Sequence, residues 1–407
     1  MAAPLDGITI LDWTQWQMGP WASSMMADLG ARIIHIENRA TGDNGRYLKF
    51  PGVAELPEGR GAYFEVNNRG KESIAIDLSK NEGKDVIFRL VKNSDVFLHN
   101  FRQGVPESLG LGYEALKACN PRLIYVAASG YGPGGPEAME PAFDMIGLAR
   151  SGIMTMLGGP DNPPLTIGGA IADQMGGIMT AYGILAAIIA RERLGVGQQV
   201  DVSHLGSMMT LQGLTIGMQL YHQQDLSGYL KTDRKKARNP LWNHYPCKDN
   251  TWLMLGMLVP DEKWPIVCRA LNIPHLEKDP RFENIEKRME NAGDLISLMD
   301  AIFLQKTAAE WTKILKDAGD VICTPVQRTP DLEHDPQVVA NEYIIDAHHE
   351  VFGPVKVLGL PVHLSETPGK VRCEAPAFGQ NTEEVLMDLG GLSWEEIESL
   401  KEKEVIV

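Results

Sequence analysis

The fold is decided by a stretch near the start of the chain, ITILDWTQWQMGPWASSMMADLGARIIHIE, residues 8–37. Apolar runs over residues 8–13 and 32–37 indicate buried strands, and the residues between them predict a helix that ends at Gly30. Strand, helix and strand in this order form the repeating unit of a parallel sheet. The stretch therefore predicts an α/β protein.

The same alternation continues further along the chain. Apolar runs predict more strands at 73–78, 95–101 and 122–132, and the spacing after Ser79 predicts a helix capped by that serine. Together these elements predict a Rossmann-like core with helices on both faces of the sheet. No GxGxxG motif follows the first strand, so the dinucleotide fingerprint is missing, and the fold alone does not identify a reaction.

The organisation changes after the first two hundred residues, where a long helical run covers about 204–224. We predict a large Rossmann-like domain whose N-terminal part spans 1–225, followed by a smaller α+β domain over 226–330. An extended, proline-rich return and a C-terminal helix over 331–407 are expected to complete the large domain.

Composition limits the classes of function. A net charge of −15 argues against a nucleic-acid-binding surface, so any anionic ligand needs a local basic cluster. The five cysteines are scattered and form no CxxC motif, which argues against disulfides and zinc and favours a reducing cytoplasm. The acidic start does not resemble a signal peptide, and the uncharged run 175–190 is shorter than the roughly 18–20 residues of a membrane span. We expect a soluble cytoplasmic protein.

One carboxylate stands in an unusual setting. Within GGAIADQMGG, residues 168–177, Asp173 lies between two pairs of glycines at the start of a helix predicted over 174–193. An aspartate in that position is commonly an N-cap. The glycines, however, are typical of a backbone that another molecule approaches closely, and an ionised carboxylate with free space before it can act as a nucleophile. Both interpretations stay open at this point.

Other candidate residues form weaker patterns. His348 and His349 are adjacent and cannot chelate a metal as an i, i+4 pair, so a surface loop is the simpler interpretation. His204 follows a predicted strand and has no Ser–Asp partner in a GxSxG motif. The loop GYGPGGPEAMEP, residues 130–141, is either a lid or a cluster of turns, and no metal-ligand spacing occurs.

Taken together, the motifs resemble the class III CoA-transferase family, which includes formyl-CoA transferase and carnitine CoA-transferase. Five blocks carry the resemblance in order, over most of the chain: PLDGITILDWTQWQMGPWASSMMADLGARIIHIEN, NNRGKESIAIDL, NFRQGV, GGAIADQMGGIMTAYGILAAIIARERLGVGQQVDVS and NPLWNHYPCKD. The resemblance implies an interlocked dimer in which each chain threads through the other, either homomeric or with a homologous subunit.

The resemblance also implies a covalent mechanism. Asp173 would attack the thioester of a donor acyl-CoA, giving a mixed anhydride and then an aspartyl-CoA thioester, and an acceptor acid would reverse the sequence. Thiolate is a good leaving group, so no general base is needed, and backbone N–H groups near the glycines would stabilise the oxyanions. Coenzyme A is then a co-substrate, with no permanently bound cofactor and no metal.

Further site residues are carried over from the family by position. Gln17 would contact the thioester and Asp144 would face the active site, although either is also explained as a turn residue or a first-turn helix acid. For CoA, the family's first three blocks suggest a set in which cations bind phosphates and an aromatic ring packs on adenine: Arg39, Lys71, Asn100, Phe101 and Arg102. Surface ion pairing is the alternative for each cation.

The sequence departs from formyl-CoA transferase in its small domain. The glycine-rich lid is not visible, and Trp242, Asn243 and His244 stand about where it is expected, which suggests a different gate over a larger substrate. Aromatic and methionine residues near the expected pocket, which could also be ordinary core, suggest succinyl-CoA as donor and an aromatic or branched, benzylsuccinate-like acceptor: Trp13, Trp16, Met18, Met175 and Trp242.

Two alternatives are weighed against a transferase. An α-methylacyl-CoA racemase needs an acid and a base on opposite faces of the α-carbon, and the histidine that supplies one of them is replaced by Phe143 in this chain. Some members of the family form heteromers in which one subunit lacks the aspartate, but Asp173 is present in this chain, which argues against a purely structural subunit. Dependence on a different partner chain stays open.

Overall fold

The computed structural model describes residues 2–159, 162–226 and 233–407. The chain forms two compact units, the first made of Met1–Met154, Thr166–Tyr221 and Pro336–Val407 and the second of Thr155–Leu165 and His222–Asp335. The domain boundaries predicted from the sequence, at 225/226 and 330/331, stay a prediction.

A six-stranded parallel sheet forms the centre of the first unit. Its strands lie in the order β3-β2-β1-β4-β5-β6, and neighbouring strands are parallel throughout. The strands are β1 (Thr9–Trp13), β2 (Arg32–Asn38), β3 (Glu72–Ile76), β4 (Val96–His99), β5 (Ile124–Ser129) and β6 (Gln199–Ser203). This order confirms the predicted α/β fold with a parallel sheet, and it places a topological switch point between β1 and β4.

Helices cover both faces of this sheet. Because successive strand residues point to opposite faces, Leu11 and Ile34 enter one apolar layer while Ile10 and Ile33 enter the other. The helices before residue 223 are α1 (Met18–Asp28), α2 (Ala62–Asn68), α3 (Asn81–Lys92), α4 (Val105–Ser108), α5 (Tyr113–Cys119), α6 (Asp144–Ser151), α7 (Ile153–Gly158), α8 (Ile171–Leu194), α9 (His204–Leu211) and α10 (Gly213–His222).

The second unit has its own sheet and core. Strands β7 (Trp242–Pro246), β8 (Trp252–Gly256) and β9 (Cys323–Pro325) are antiparallel, and the third of them was not predicted. The accompanying helices are α11 (Pro260–Ala270), α12 (Ile285–Glu290), α13 (Ala292–Phe303) and α14 (Ala308–Ala318). Trp264, Phe303 and Trp311 are buried in the core between them.

The last part of the chain returns to the first unit. It contains α15 (Pro336–Ala340), the antiparallel pair β10 (Ile344–His349) and β11 (Gly353–Leu358), and the helices α16 (Thr382–Asp388) and α17 (Trp394–Glu402). Leu386 of α16 and Ile397 of α17 are fully buried in the same apolar layer as Ile74 of β3. The C-terminal segment therefore completes one face of the central sheet.

The two glycine pairs around Asp173 serve different purposes. A Cβ atom at Gly177 would lie 2.8 Å from Cδ1 of Trp21 and 2.9 Å from the carbonyl oxygen of Met18. A Cβ atom at Gly176 would collide with the side chain of the same methionine. This second pair therefore lets α8 pack closely against α1, and the expectation that it clears space for a ligand is wrong. Only the first pair fits that expectation, since Gly169 has a φ of +91° and open space around it.

Helix α8 is the longest helix described. By length and composition it is apolar enough to cross a membrane, but much of its surface is buried within the protein. It packs against α1, and buried Arg191 near its end forms an ion pair of 2.7 Å with Asp95. These contacts are those of a core helix, as the sequence predicted.

Several predicted details are wrong. Lys80 is the N-cap residue of α3, whereas the Ser79 hydroxyl donates to Asp77 Oδ1 at 2.6 Å. The helical run near 204–224 is two helices, and the C-terminal helix is interrupted where Gly391 has a φ of +63°. His349 lies in strand β10 and is buried, not in a surface loop.

Candidate active site

A cavity of about 270 Å³ opens at the carboxyl edge of the central sheet. Its walls come from the end of β5, from the segments that follow β1, β4 and β5, from Tyr63 of α2 and from the first residues of α8 and α9. It therefore lies at the switch point where open α/β sheets bind ligands. The lining residues are Gln15, Trp16, Met18, Tyr63, Asn100, Phe101, Arg102, Ala128, Ser129, Gly130, Ala138, Glu140, Pro141, Ala142, Phe143, Asp173 and His204.

Asp173 projects into this cavity from the first turn of α8. The N-cap residue of the helix is Ala170, in the left-handed conformation with a φ of 53°, so the interpretation of Asp173 as the cap is wrong. Its side chain is 15% exposed, and its Oδ1 lies 2.8 Å from Nε2 of His204. Oδ2 accepts no hydrogen bond within the described parts of the chain. The result is a carboxylate at the positive end of a helix with one oxygen free to react.

The Asp144 side chain forms hydrogen bonds with the backbone of the first turn of α8. As the first residue of α6, it accepts hydrogen bonds through Oδ1 from the backbone N–H groups of Ala172 (2.6 Å) and Asp173 (3.1 Å). It therefore caps α8 from outside the helix. Burial raises the pKa of Asp144, and the nearby charge of Asp173 adds to that rise. Asp144 touches the backbone of the predicted nucleophile but does not line the cavity.

His204 is a site residue that the sequence interpretation missed. It begins α9 directly after β6, where the Ser203 side chain caps the helix by accepting from the Gly206 N–H at 3.0 Å. The imidazole lies over Gly147, at which a Cβ atom would come within 2.8 Å of the histidine Cβ. A signal was present, since a histidine at the carboxyl end of a parallel strand lies on the edge where these sheets bind ligands.

The turn after β1 presents a different residue from the one predicted. Gln17 is the N-cap residue of α1 and is buried, with no capping bond from its side chain, and it does not line the cavity. Its neighbour Trp16 does, held with a φ of 69° and with its ring 5.9 Å from that of Phe143. The aromatic pair forms one wall of the cavity.

Three of the residues predicted to bind CoA lie together on the wall after β4. The Asn100 amide clamps the backbone of Gln15, accepting from its N–H at 2.9 Å and donating to its carbonyl at 2.6 Å. The Phe101 ring packs 4.3 Å from that of Trp13, which lies behind the wall. Arg102 is exposed and forms no ion pair with the described residues, so its guanidinium is free to meet an anion.

The other two cations lie elsewhere. The Lys71 ammonium is fully buried, 2.8 Å from Oδ2 of Asp12 and 2.7 Å from Oδ1 of Asn68. Burial lowers the pKa of Lys71, and a phosphate would have to displace its buried carboxylate partner, which argues against Lys71 as a CoA ligand. Arg39 lies outside the cavity, where its Nε donates to the carbonyl of Ile406 at 2.9 Å.

Two further features complete the cavity. The loop 130–141 lines it through several residues without forming a helix or strand. Burial raises the pKa of Tyr63, and the carboxylates of Asp173, Asp43 and Asp144 raise it further, so the phenol stays protonated and can donate a hydrogen bond. Among the described residues, no three histidine, cysteine, aspartate or glutamate side chains form a group that could hold a metal ion.

The chain matches the CoA-transferase family III profile over residues 5–382. It is 33% identical over 99% of its length to a succinyl-CoA–D-citramalate CoA-transferase of Chloroflexus aurantiacus, covering 98% of that protein. It is 35% identical to an acetyl-CoA:oxalate CoA-transferase of Acetobacter aceti, over 89% of each chain.

The fold has a close counterpart among solved structures. A CAIB/BAIF family protein from Brucella suis superposes with a TM-score of 0.85 and 29% identity, over 96% of this chain and 100% of the other. The match to the family extends from before β1 to the start of α16 and includes every residue of the cavity wall. The chain therefore belongs to CoA-transferase family III and is an enzyme of that class.

Proposed function

We propose that this enzyme moves CoA from succinyl-CoA to an acceptor carboxylic acid through covalent intermediates on Asp173. The observation that carries the proposal is the Asp173 carboxylate in the cavity, with Oδ1 bound to His204 at 2.8 Å and Oδ2 without a partner in the described chain. Relatives named as succinyl-CoA-dependent transferases support the choice of donor.

The bonds change in four steps. Oδ2 of Asp173 attacks the thioester carbonyl and the C–S bond breaks. CoA leaves as its thiolate, and a mixed anhydride of Asp173 and the donor acid remains. The thiolate attacks Cγ of Asp173, and the donor acid leaves as its carboxylate. The acceptor carboxylate then attacks Cγ and displaces the thiolate. Finally the thiolate attacks the acceptor's carbonyl carbon and frees the Asp173 carboxylate.

The cavity wall supports an acceptor with an apolar part. Trp16, Tyr63, Phe101 and Phe143 present aromatic surface to the cavity, which suits an aromatic or branched acid such as benzylsuccinate. The named relatives act on smaller acids, including citramalate and oxalate. Turnover of succinyl-CoA with benzylsuccinate and with citramalate in parallel assays decides between the two classes of acceptor.

Direct trapping tests the proposal. The wild-type enzyme, incubated with succinyl-CoA and no acceptor, should gain the mass of CoA less one water on Asp173. Hydroxylamine should then convert this one residue to its hydroxamate, as identified by peptide mass spectrometry. An adduct on another residue, or transfer through a complex with no covalent enzyme species, would contradict the proposed mechanism.

The racemase alternative has less support. Acid and base must stand on opposite faces of a substrate α-carbon, but Asp173 and His204 are in direct contact at 2.8 Å, which leaves no room for a carbon between them. Phe143 has no proton to exchange. Solvent deuterium entering the α-position of 2-methylacyl-CoA during incubation with the enzyme would revive this alternative.

We also propose an obligate interlocked dimer, homomeric or with a homologous chain. Helix α10 has no buried residue although it is apolar, with Leu214 80% exposed and Tyr221 92% exposed. Exposed apolar surface of this kind marks protein–protein contact sites in soluble proteins, which supports the dimer. All five cysteines are free, which supports the proposed cytoplasmic location.

Light scattering tests the assembly. At micromolar concentration the purified chain should have the mass of a dimer, because the apolar surface of α10 is stable only when covered. If the chain needs a homologous partner, it should instead aggregate alone and become soluble on co-expression. A monodisperse, folded monomer would contradict both forms of the proposal.

Arg102 should bind a phosphate of CoA. Arg102→Ala should raise KM for acyl-CoA on the order of tenfold and change kcat little, because a phosphate contact is nearly the same in the ground and transition states. Arg89 is a matched control, since it is a half-exposed arginine paired with Glu396 and does not line the cavity. Equal KM values for Arg102→Ala and Arg89→Ala would remove Arg102 from the CoA site.

A further inference from the structure

We infer that His204 is a catalytic residue whose Nε2–H stabilises the oxyanion that forms on Oδ1 of Asp173. The inference rests on the proposed function, because it assigns a donor to one step of that mechanism. Asp173 Oδ1 and His204 Nε2 are already 2.8 Å apart, the separation of a strong hydrogen bond to a charged acceptor.

The protonation of the imidazole follows from its surroundings. A carboxylate oxygen can only accept, so the short contact requires the proton on Nε2 of His204. Nδ1 is buried and has no hydrogen-bond partner in the described parts of the chain. Whether the ring is neutral or charged, it therefore donates to Oδ1 of Asp173.

The step that uses this donor is the attack on the enzyme's own carbonyl. In the anhydride, Oδ2 of Asp173 bridges to the acyl group, and Oδ1 is the carbonyl oxygen that His204 contacts. When the CoA thiolate attacks Cγ, the C=O electron pair moves to Oδ1; the pair then re-forms the C=O bond as the bond from Cγ to the bridging oxygen breaks, and the donor acid leaves as its carboxylate. The acceptor carboxylate attacks the same Cγ and places charge on the same oxygen.

The histidine is held rigidly for this purpose. Its side chain is 7% exposed, and its position at the junction of β6 and α9 is fixed by the Ser203 cap and by the hydrogen bond from the Leu205 N–H to the Gly130 carbonyl at 3.1 Å. A donor fixed in place with little access to water needs no reorganisation when the charge develops. The backbone N–H groups of Ala172 and Asp173 are not available to replace it, because Asp144 accepts from both.

Two substitutions test the assignment. His204→Leu removes the donor at similar volume, and formation of the aspartyl-CoA adduct in a single turnover should slow about 10²- to 10³-fold, the usual loss for one oxyanion donor. His204→Gln keeps an N–H group and should stay within about tenfold of wild type. KM for acyl-CoA should change less than threefold in both variants, since acyl-CoA binding makes no use of this donor.

A matched control separates catalysis from packing. His349 is also a buried histidine beside a carboxylate, 3.3 Å from Oε2 of Glu65, and it does not line the cavity. His349→Leu should lower thermal stability as much as His204→Leu does but form the adduct at the wild-type rate.

Three results bear on the inference in different ways. Adduct formation by His204→Leu at near the wild-type rate would overturn it, provided that Asp173→Asn forms no adduct. Equal losses in the Leu and Gln variants would also overturn it, because they would indicate a role in packing. If Asp173→Asn itself transfers CoA, the proposed covalent mechanism on Asp173 fails. The activity of that variant alone shows this, without any measurement on the His204 variants.

Discussion

An Asp173→Asn variant should fold and bind acyl-CoA but transfer CoA slower by a factor on the order of 10⁴ or more, the scale of losing a covalent nucleophile. Asparagine has nearly the same shape, and its amide oxygen can still accept the hydrogen bond from His204. It lacks the anionic oxygen that forms the anhydride. The fold should survive because Ala170, not Asp173, is the cap of α8.

The control for this variant comes from an equivalent position in another helix. Asp294 is the third residue of α13, as Asp173 is of α8, and it is exposed in the second unit. Asp294→Asn should cost the same few tenths of a kcal/mol through the helix dipole and leave transfer unchanged. The measurement is the rate of CoA transfer together with the melting temperature of both variants. Transfer by folded Asp173→Asn within tenfold of wild type would end the proposed mechanism.

The strands of the central sheet could be predicted because short apolar runs are a local feature of the sequence. The run over 8–13 and its successors became strands because apolar residues in short runs bury well in a parallel sheet covered on both faces. Helix ends were less predictable. Ser79 is a good capping residue, but its hydroxyl binds Asp77 instead, and a left-handed alanine at position 170, which has no capping side chain of its own, starts α8.

Candidate site residues can be recognised in the sequence where one segment carries them, and they are missed where the fold brings distant segments together. Asp173 stood out because of its neighbours in sequence. His204 lies 31 residues away and meets Asp173 only because β6 ends at the edge of the sheet where α8 begins. Lys71 illustrates the same limit, since nothing in the sequence around it indicates that its charge will be buried against Asp12 of β1. Pairing and burial are properties of the assembled sheet.

Asp144 was predicted to face the active site, and in the structure it accepts hydrogen bonds from the first turn of α8. Asp144→Ala removes the acceptor for the backbone N–H groups of Ala172 and Asp173, so the first turn of α8 loses its cap. We expect unfolding to become easier by about 1 kcal/mol, as for other lost caps. The Asp173 carboxylate should shift with its backbone, and a displacement of about 1 Å costs on the order of 10²-fold in rate.

Two comparisons separate this positioning role from stability alone. Asp144→Asn retains an oxygen that can accept both hydrogen bonds, so its transfer rate should stay within about tenfold of wild type. Ser393→Ala removes a comparable cap, the side-chain oxygen that accepts from the Glu396 N–H at 3.3 Å in α17, and should lower stability without slowing transfer. Urea unfolding and transfer rates measured on all three variants decide the matter. If Asp144→Ala and Ser393→Ala lose the same activity, Asp144 contributes only stability, and the position of Asp173 does not depend on the α6 carboxylate.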